Sequence, residues 1–152
     1  MLIRAARAEE AGALSELALR SKAYWGYSDA FIAACREELR LHPGDIERRR
    51  TTVAEREGRA IGFATLDGEP PEGELGMLFV DPLAIGQGVG RLLFNHTLDA
   101  ARGLGFTRLT LSADPNAEPF YRLMGAVRVG SEPSGSIPGR ELPLMAVDLT
   151  AR

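Results

Sequence analysis

Apolar positions along the chain change their spacing several times, and each change marks an element. Leu2 to Ala6 reads as a short opening strand. Residues Glu9 to Lys22 place Ala13, Leu14, Leu17 and Ala18 at helical spacing, and Asp29 to Leu41 forms a second helical stretch behind Ser28 as N-cap. Thr51 to Glu57 and Arg59 to Leu66 predict a hairpin turning at Gly58, with Ile61, Phe63 and Thr65 alternating against small residues. Leu75 to Val80 is apolar on both faces, which suits a strand covered on both sides in the middle of a sheet.

After Asp81-Pro82 a glycine-rich turn opens a long helix in which Val89, Leu92, Leu93, His96 and Ala100 form one stripe, ending near Gly103 and Gly105. Arg108 to Ser112 is the next strand, and a short helix from Pro115 to Leu123 is closed by Gly125. Val127 to Ser131 and Leu144 to Leu149 supply the last two strands, and the Pro-, Gly- and Ser-rich link Glu132 to Pro143 reads as an exposed loop. This order predicts an α/β fold: a mixed sheet flanked by helices.

A length of 152 residues with 45% hydrophobic composition suits one domain, residues 1–152, with one sizeable core. The first thirty residues carry Glu9-Glu10 and no long apolar run, and nowhere do eighteen apolar residues follow one another. A soluble, cytoplasmic protein is the expectation. Cys35 is the single cysteine, and with only His42 and His96 beside it the ligands for a Cys/His zinc site are too few, so no metal is expected. Eighteen basic against 21 acidic side chains, net charge −3, give no pull toward nucleic acid or an anionic membrane. The basic cluster Arg48-Arg49-Arg50 reads as a solvated edge beside a strand, with a grip on phosphate or carboxylate as the alternative.

The stretch from Val80 to Leu93 carries the most chemistry. A buried strand runs through Gly86, Gly88 and Gly90 into a helix, so the backbone can approach a ligand closely. The free N–H groups of the first helical turn then offer an anion site suited to a phosphate-bearing cofactor. Taken alone, Gly86-x-Gly88 is better read as an ordinary tight turn. A dinucleotide fingerprint starting at Gly86 fails because Arg91 stands where glycine or a close substitute is needed. A P-loop fails because the only lysine is Lys22.

Leu78-Phe79-Val80-Asp81-Pro82, followed by Gly86-Gln87-Gly88-Val89-Gly90, resembles the acetyl-CoA motif of the GNAT superfamily of N-acetyltransferases. Asn116-Ala117-Glu118-Pro119-Phe120-Tyr121-Arg122-Leu123-Met124-Gly125 is similar to the short helix of that family. The two motifs stand in the family's order, and the resemblance covers residues 50 to 150 well and the first two helices in outline. It implies a GNAT-like fold with a mixed central sheet of about seven strands and about four helices. Two positions depart from the pattern: Ile85 stands where Arg or Gln usually does, and Ala126 replaces an aromatic.

The resemblance further implies an acetyl-CoA-dependent N-acetyltransferase acting on a primary amine by direct attack in a ternary complex. Leu78, Phe79 and Val80 would run along the pantetheine arm, with their amides polarising the thioester carbonyl. Gly86, Gln87, Gly88, Val89, Gly90 and Arg91 would hold the pyrophosphate, and Asn116 and Phe120 would complete the cofactor site. Tyr121 would be the general acid at the sulfur. Glu74 is the candidate base, or else an ordinary strand-end carboxylate. Trp25 and Tyr27, in Tyr24-Trp25-Gly26-Tyr27, either shape a substrate pocket or pack the helical layer, and Arg140 is either a carboxylate clamp or a solvated loop arginine. His96 reads as a core-edge histidine. The acceptor is a small-molecule amine or a peptide amine, and many relatives form dimers through their last strands, so a homodimer stays open. The absence of a Gly-x-Ser-x-Gly elbow disfavours hydrolase chemistry. The alternative of another class is a non-catalytic acyl-CoA binding or sensing module.

Overall fold

The computed structural model describes residues 1–150. Strands β1 (Leu2–Ala5), β2 (Thr52–Arg56), β3 (Arg59–Glu69), β4 (Glu72–Val80), β5 (Arg108–Ser112), β6 (Val127–Pro133) and β7 (Glu141–Asp148) form one sheet, and the helices are α1 (Ala11–Ala23), α2 (Asp29–Cys35), α3 (Val89–Leu104) and α4 (Glu118–Leu123). The sheet order is β1-β2-β3-β4-β5-β7-β6, antiparallel throughout except for the central β4–β5 pair. This is the mixed α/β architecture the sequence predicts.

Each face of the sheet buries its own core. Leu75, Leu109 and Leu111 pack with Leu93, Phe94 and Ala101 of α3, whereas Phe63 and Met77 pack with Leu14, Leu17 and Ala18 of α1 and Cys35 of α2. Two faces covered by helices explain why β4 is apolar at successive positions. No helix among the described residues is long and apolar enough to cross a membrane.

Several boundaries differ from the sequence reading for physical reasons. Residues 67–74 look like a loop because Gly, Pro and acidic residues dominate them. They nevertheless extend the β3–β4 hairpin, pairing Asp67 with Glu74 and Glu69 with Glu72 across a turn at Pro70-Pro71. The second helix ends at Cys35 and not Leu41, giving way to turns. On α3 the buried face is Val89, Leu93, Phe94, Thr97, Leu98 and Ala101; Leu92 is 46% exposed, and His96 and Ala100 face outward. Thr97 takes a core position because its hydroxyl donates to the Leu93 carbonyl at 2.8 Å, which turns the buried face by about one residue from the stripe drawn through Leu92.

Candidate functional site

Parallel pairing between β4 and β5 lasts only from Glu72↔Arg108 to Glu74↔Thr110. Beyond it the two strands part, and the backbone groups of β4 that face β5 lose their strand partner. A β-bulge falls at this point: Thr65 pairs with Met77 and Leu66 with Leu75, leaving Gly76 as the extra residue of β4. A cleft of about 740 Å³ opens between the splayed strands, lined by Glu74 to Val80 on one side and Leu111, Ser112, Asp114 and Asn116 on the other.

On the α3 face, the cleft wall is mainly backbone. Asp81, buried at the end of β4, accepts a bond from the Leu83 amide at 3.0 Å and ion-pairs with Arg20 of α1 at 3.0 Å, which fixes the turn that follows. Gly86 and Gly88 then adopt φ of +83° and +82°, where an L side chain is strained. No backbone N–H from Gly86 to Arg91 finds an acceptor among the described residues, and a Cβ at Gly86 or Gly88 would meet open space. These amides converge at the N-terminus of a 16-residue helix and so form an anion cradle. Gly86, Gly88, Val89, Gly90 and Arg91 line the cleft; Gln87 does not, its side chain bonding Arg56 and the Leu83 carbonyl instead. The residues present therefore fit a pyrophosphate held chiefly by backbone, and the loss of a polar side chain at Ile85 leaves that cradle intact.

Opposite the cradle, α4 presents Phe120 and Tyr121. Phe120 packs edge-on against Phe94 and Tyr121, which anchors the short helix to α3. Tyr121 is only 8% exposed, bonds to no protein group through its hydroxyl, and lines the cleft. Burial, and then the charge of Asp114, push its phenol well above the usual range, so it stays protonated.

The other face is built from charged side chains. Because Leu75, Leu109 and Leu111 point toward α3, alternation turns Glu74, Thr110 and Ser112 toward α1 and α2. Glu74 is raised above the ordinary carboxylate range by burial, then by Asp67 and Glu132, with Arg49 opposing. Glu132 accepts a hydrogen bond from the Ser112 hydroxyl, and Glu38 lies beside Gly135 of the β6–β7 loop; both line the cleft. Arg49 is no solvated edge: it makes two 2.9 Å bonds to Asp67, one to each carboxylate oxygen, and lines the cleft beside Glu74.

Tyr27 and Arg140 do not line the cleft. Arg140 donates to the Tyr27 hydroxyl at 2.7 Å, Tyr27 donates to Asp114 at 2.9 Å, and Lys22 ion-pairs with Asp114. The Asn116 side-chain amide donates to Tyr27 and Asp114 at 3.0 Å each, while Tyr27 stacks on Phe31. This cluster ties the α1–α2 connection to the β5–α4 turn and to the β6–β7 loop. The loop is shorter than the sequence suggests, residues 134–140, and is pinned rather than free. Burial pushes Asp114 up, but Lys22, the Asn116 amide and Tyr27 outweigh it and hold the carboxyl below its usual value. Trp25 does line the cleft, 43% exposed and edge-on to Tyr24. The sequence reading missed Asp114, Lys22, Glu38 and Glu132. Only Asp114 left a signal, as an acidic residue directly before Pro115 that caps the next turn through the Asn116 amide.

Among known proteins, the chain is similar over 85 residues to peptidyl-lysine N-acetyltransferase YjaB of Salmonella typhimurium, at 34% identity, covering 56% of this chain and 54% of that relative. The match thus spans about half the length of that relative. The fold superposes on a GCN5-related N-acetyltransferase from Rhodopseudomonas palustris with a TM-score of 0.78 at 24% identity, covering 97% of this chain and 94% of the other. It also superposes on PaiA N-acetyltransferase from Thermoplasma acidophilum, solved in complex with coenzyme A, with a TM-score of 0.77 at 21% identity, covering 97% and 98%. A family model described as acetyltransferase (GNAT) family matches residues 14–126, which run from within α1 through the glycine turn to just past α4. The chain belongs to the GNAT acetyltransferase family.

Proposed function

We propose that this protein transfers the acetyl group of acetyl-CoA to a primary amine in a ternary complex, without a covalent enzyme intermediate. The observation that carries this reading is the splayed β4–β5 cleft, lined by Gly86 and by Gly88 to Arg91, whose amides are unbonded, and by Tyr121, whose hydroxyl is unbonded. The coenzyme A complex of PaiA N-acetyltransferase, alike in fold, supports the choice of donor. Residues 1–152 are taken as one such domain, working in the cytoplasm; exposed Val127 and Val129 on edge strand β6 suit pairing with a second copy.

In this reading the cradle from Gly86 to Arg91 holds the donor's pyrophosphate, with Arg91 adding its charge. The partnerless amides of β4 past Glu74 stabilise charge developing on the thioester oxygen. Glu74, or a water it orders, takes the proton of the attacking nitrogen, and its raised pKa brings it nearer the range useful for a base. The nitrogen–carbon bond forms as the carbon–sulfur bond breaks, and the departing sulfur takes its proton from Tyr121. Glu74 then returns its proton to solvent, from which Tyr121 is reprotonated.

The test is acetyl-CoA affinity by calorimetry on wild type and Gly88→Glu, followed by thiol release over amines, peptides and antibiotics. Wild-type binding that is lost in the variant, with thiol released on adding an amine, supports transfer. Binding with no release for any amine would leave the acyl-CoA binding module standing in its place.

A further inference from the structure

The acceptor side of the cleft carries more negative charge than a single proton transfer needs. Glu38, Glu74 and Glu132 all line it, contributed by the segment after α2, by β4 and by β6. The nearby basic groups are already engaged: Arg49 by Asp67, and Lys22 by Asp114. None of the three glutamates forms an ion pair among the described residues, and Arg49 only partly offsets the upward pressure of burial, Asp67 and Glu132 on Glu74. Trp25 adds an exposed aromatic surface to the same wall. A further observation points to a ligand here: Tyr121, more than nine-tenths buried, lines this cleft with a hydroxyl that makes no hydrogen bond to the protein.

We propose that the acceptor is a small linear diamine or polyamine, one nitrogen delivered between Glu74 and Tyr121 while a second, protonated nitrogen is held by Glu132 and Glu38. The proposal rests on the acetyltransferase reading for its chemistry and adds the class of acceptor. Two carboxylates facing a flexible dication supply attraction at both of its ends, and the charge also raises the local concentration of such a substrate. An aromatic face beside them suits an ammonium. A small acceptor is favoured over a basic peptide because the acceptor end is roofed: Arg140 pins the β6–β7 loop to Tyr27, and Glu38 sits against Gly135 of that loop.

The experiment compares diaminobutane with butylamine, which has the same carbon chain but one nitrogen, by calorimetry with and without coenzyme A and by thiol release with acetyl-CoA. Diaminobutane is expected to bind at least about tenfold more tightly, more than a single exposed charge pair supplies, because Glu132 and Glu38 both hold its second nitrogen. Added salt should weaken that preference. Glu132→Gln and Glu38→Gln should each lower kcat/KM for diaminobutane more than for butylamine, so that the ratio between the two amines collapses. Equal treatment of both amines by a protein that binds acetyl-CoA would overturn the diamine site and spare the acetyltransferase reading. Diamine binding without any acetyl-CoA binding would do the reverse. A lysine peptide turned over faster than diaminobutane would also overturn it, in favour of a protein acceptor.

Discussion

The two sides of the cleft are made of different material. On the α3 side the working groups are backbone amides, two left-handed glycines and one tyrosine hydroxyl, supported by the apolar packing of Phe94, Phe120 and Val89. On the α1–α2 side they are side chains: three glutamates, the Arg49–Asp67 pair and the cluster around Asp114. A site built from backbone survives side-chain drift, which is how Ile85 can replace a polar residue without dismantling the cradle. A site built from side chains changes its partner with each substitution, so under the proposed function acceptor choice would be written there.

That contrast is broken most severely at Gly88. Glutamate there must adopt a left-handed backbone and brings a negative charge to the anion cradle, which together should weaken acetyl-CoA binding by about 100-fold or more in calorimetry. Ile85→Arg probes the same contrast from the other direction. If the grip is backbone, restoring a polar side chain should change affinity by less than about threefold.

Tyr121→Phe comes next in size. Removal of a proton donor should lower kcat by about 100-fold or more while KM for acetyl-CoA moves little. Because the hydroxyl bonds to no protein group, the thermal midpoint should stay near wild type. A stability loss as large as that of a core substitution would make Tyr121 a packing residue.

The same division explains what could be read from the sequence. Glycine turns and apolar strands follow local rules, so the cradle, β4 and α4 are visible as motifs with their boundaries nearly right. Glu132 is 58 residues from Glu74 along the chain, and nothing local in either segment says that β4 and β6 bring them to one cleft. The extension of the hairpin through Asp67 to Glu74 was hidden because Gly68, Pro70 and Pro71 look like a loop, although strand pairing carries the ladder to Glu72. Tyr27 and Arg140 were visible as residues with chemistry, but their partner Asp114 lies on another element, and the three together brace the loops at the rim, with only Asp114 of the three on the cleft lining.

Bracing of this kind predicts a stability effect. Asp114→Ala strands the Lys22 and Arg140 charges in a half-buried setting and should cost about 3 kcal/mol by urea unfolding near neutral pH. Asp114 titrates below its ordinary value when folded, so its contribution is present above the unfolded pKa and is lost as pH falls through the folded one. The gap between wild type and variant should therefore narrow in acid. A constant gap would mean that packing, and not charge, holds the loops.

The smallest effect has the opposite sign and belongs to Glu74. Its folded pKa is raised, so ionisation disfavours the folded state: relative stability is full below the unfolded pKa and declines as pH rises through the folded one. Glu74→Gln removes that penalty and should raise the thermal midpoint near neutral pH, by an amount worth less than about 1 kcal/mol because solvent screens the exposed Glu74. Below about pH 4, where the wild-type carboxyl is itself neutral, the gain should disappear. The same variant should lower kcat/KM and abolish its acid-side limb if Glu74 is the base. A variant that is both more stable and less active would show that the three glutamates are kept for the acceptor at the expense of the fold. A variant no more stable than wild type would mean that Arg49 already compensates the cluster, and the excess of negative charge on this side of the cleft would be only apparent.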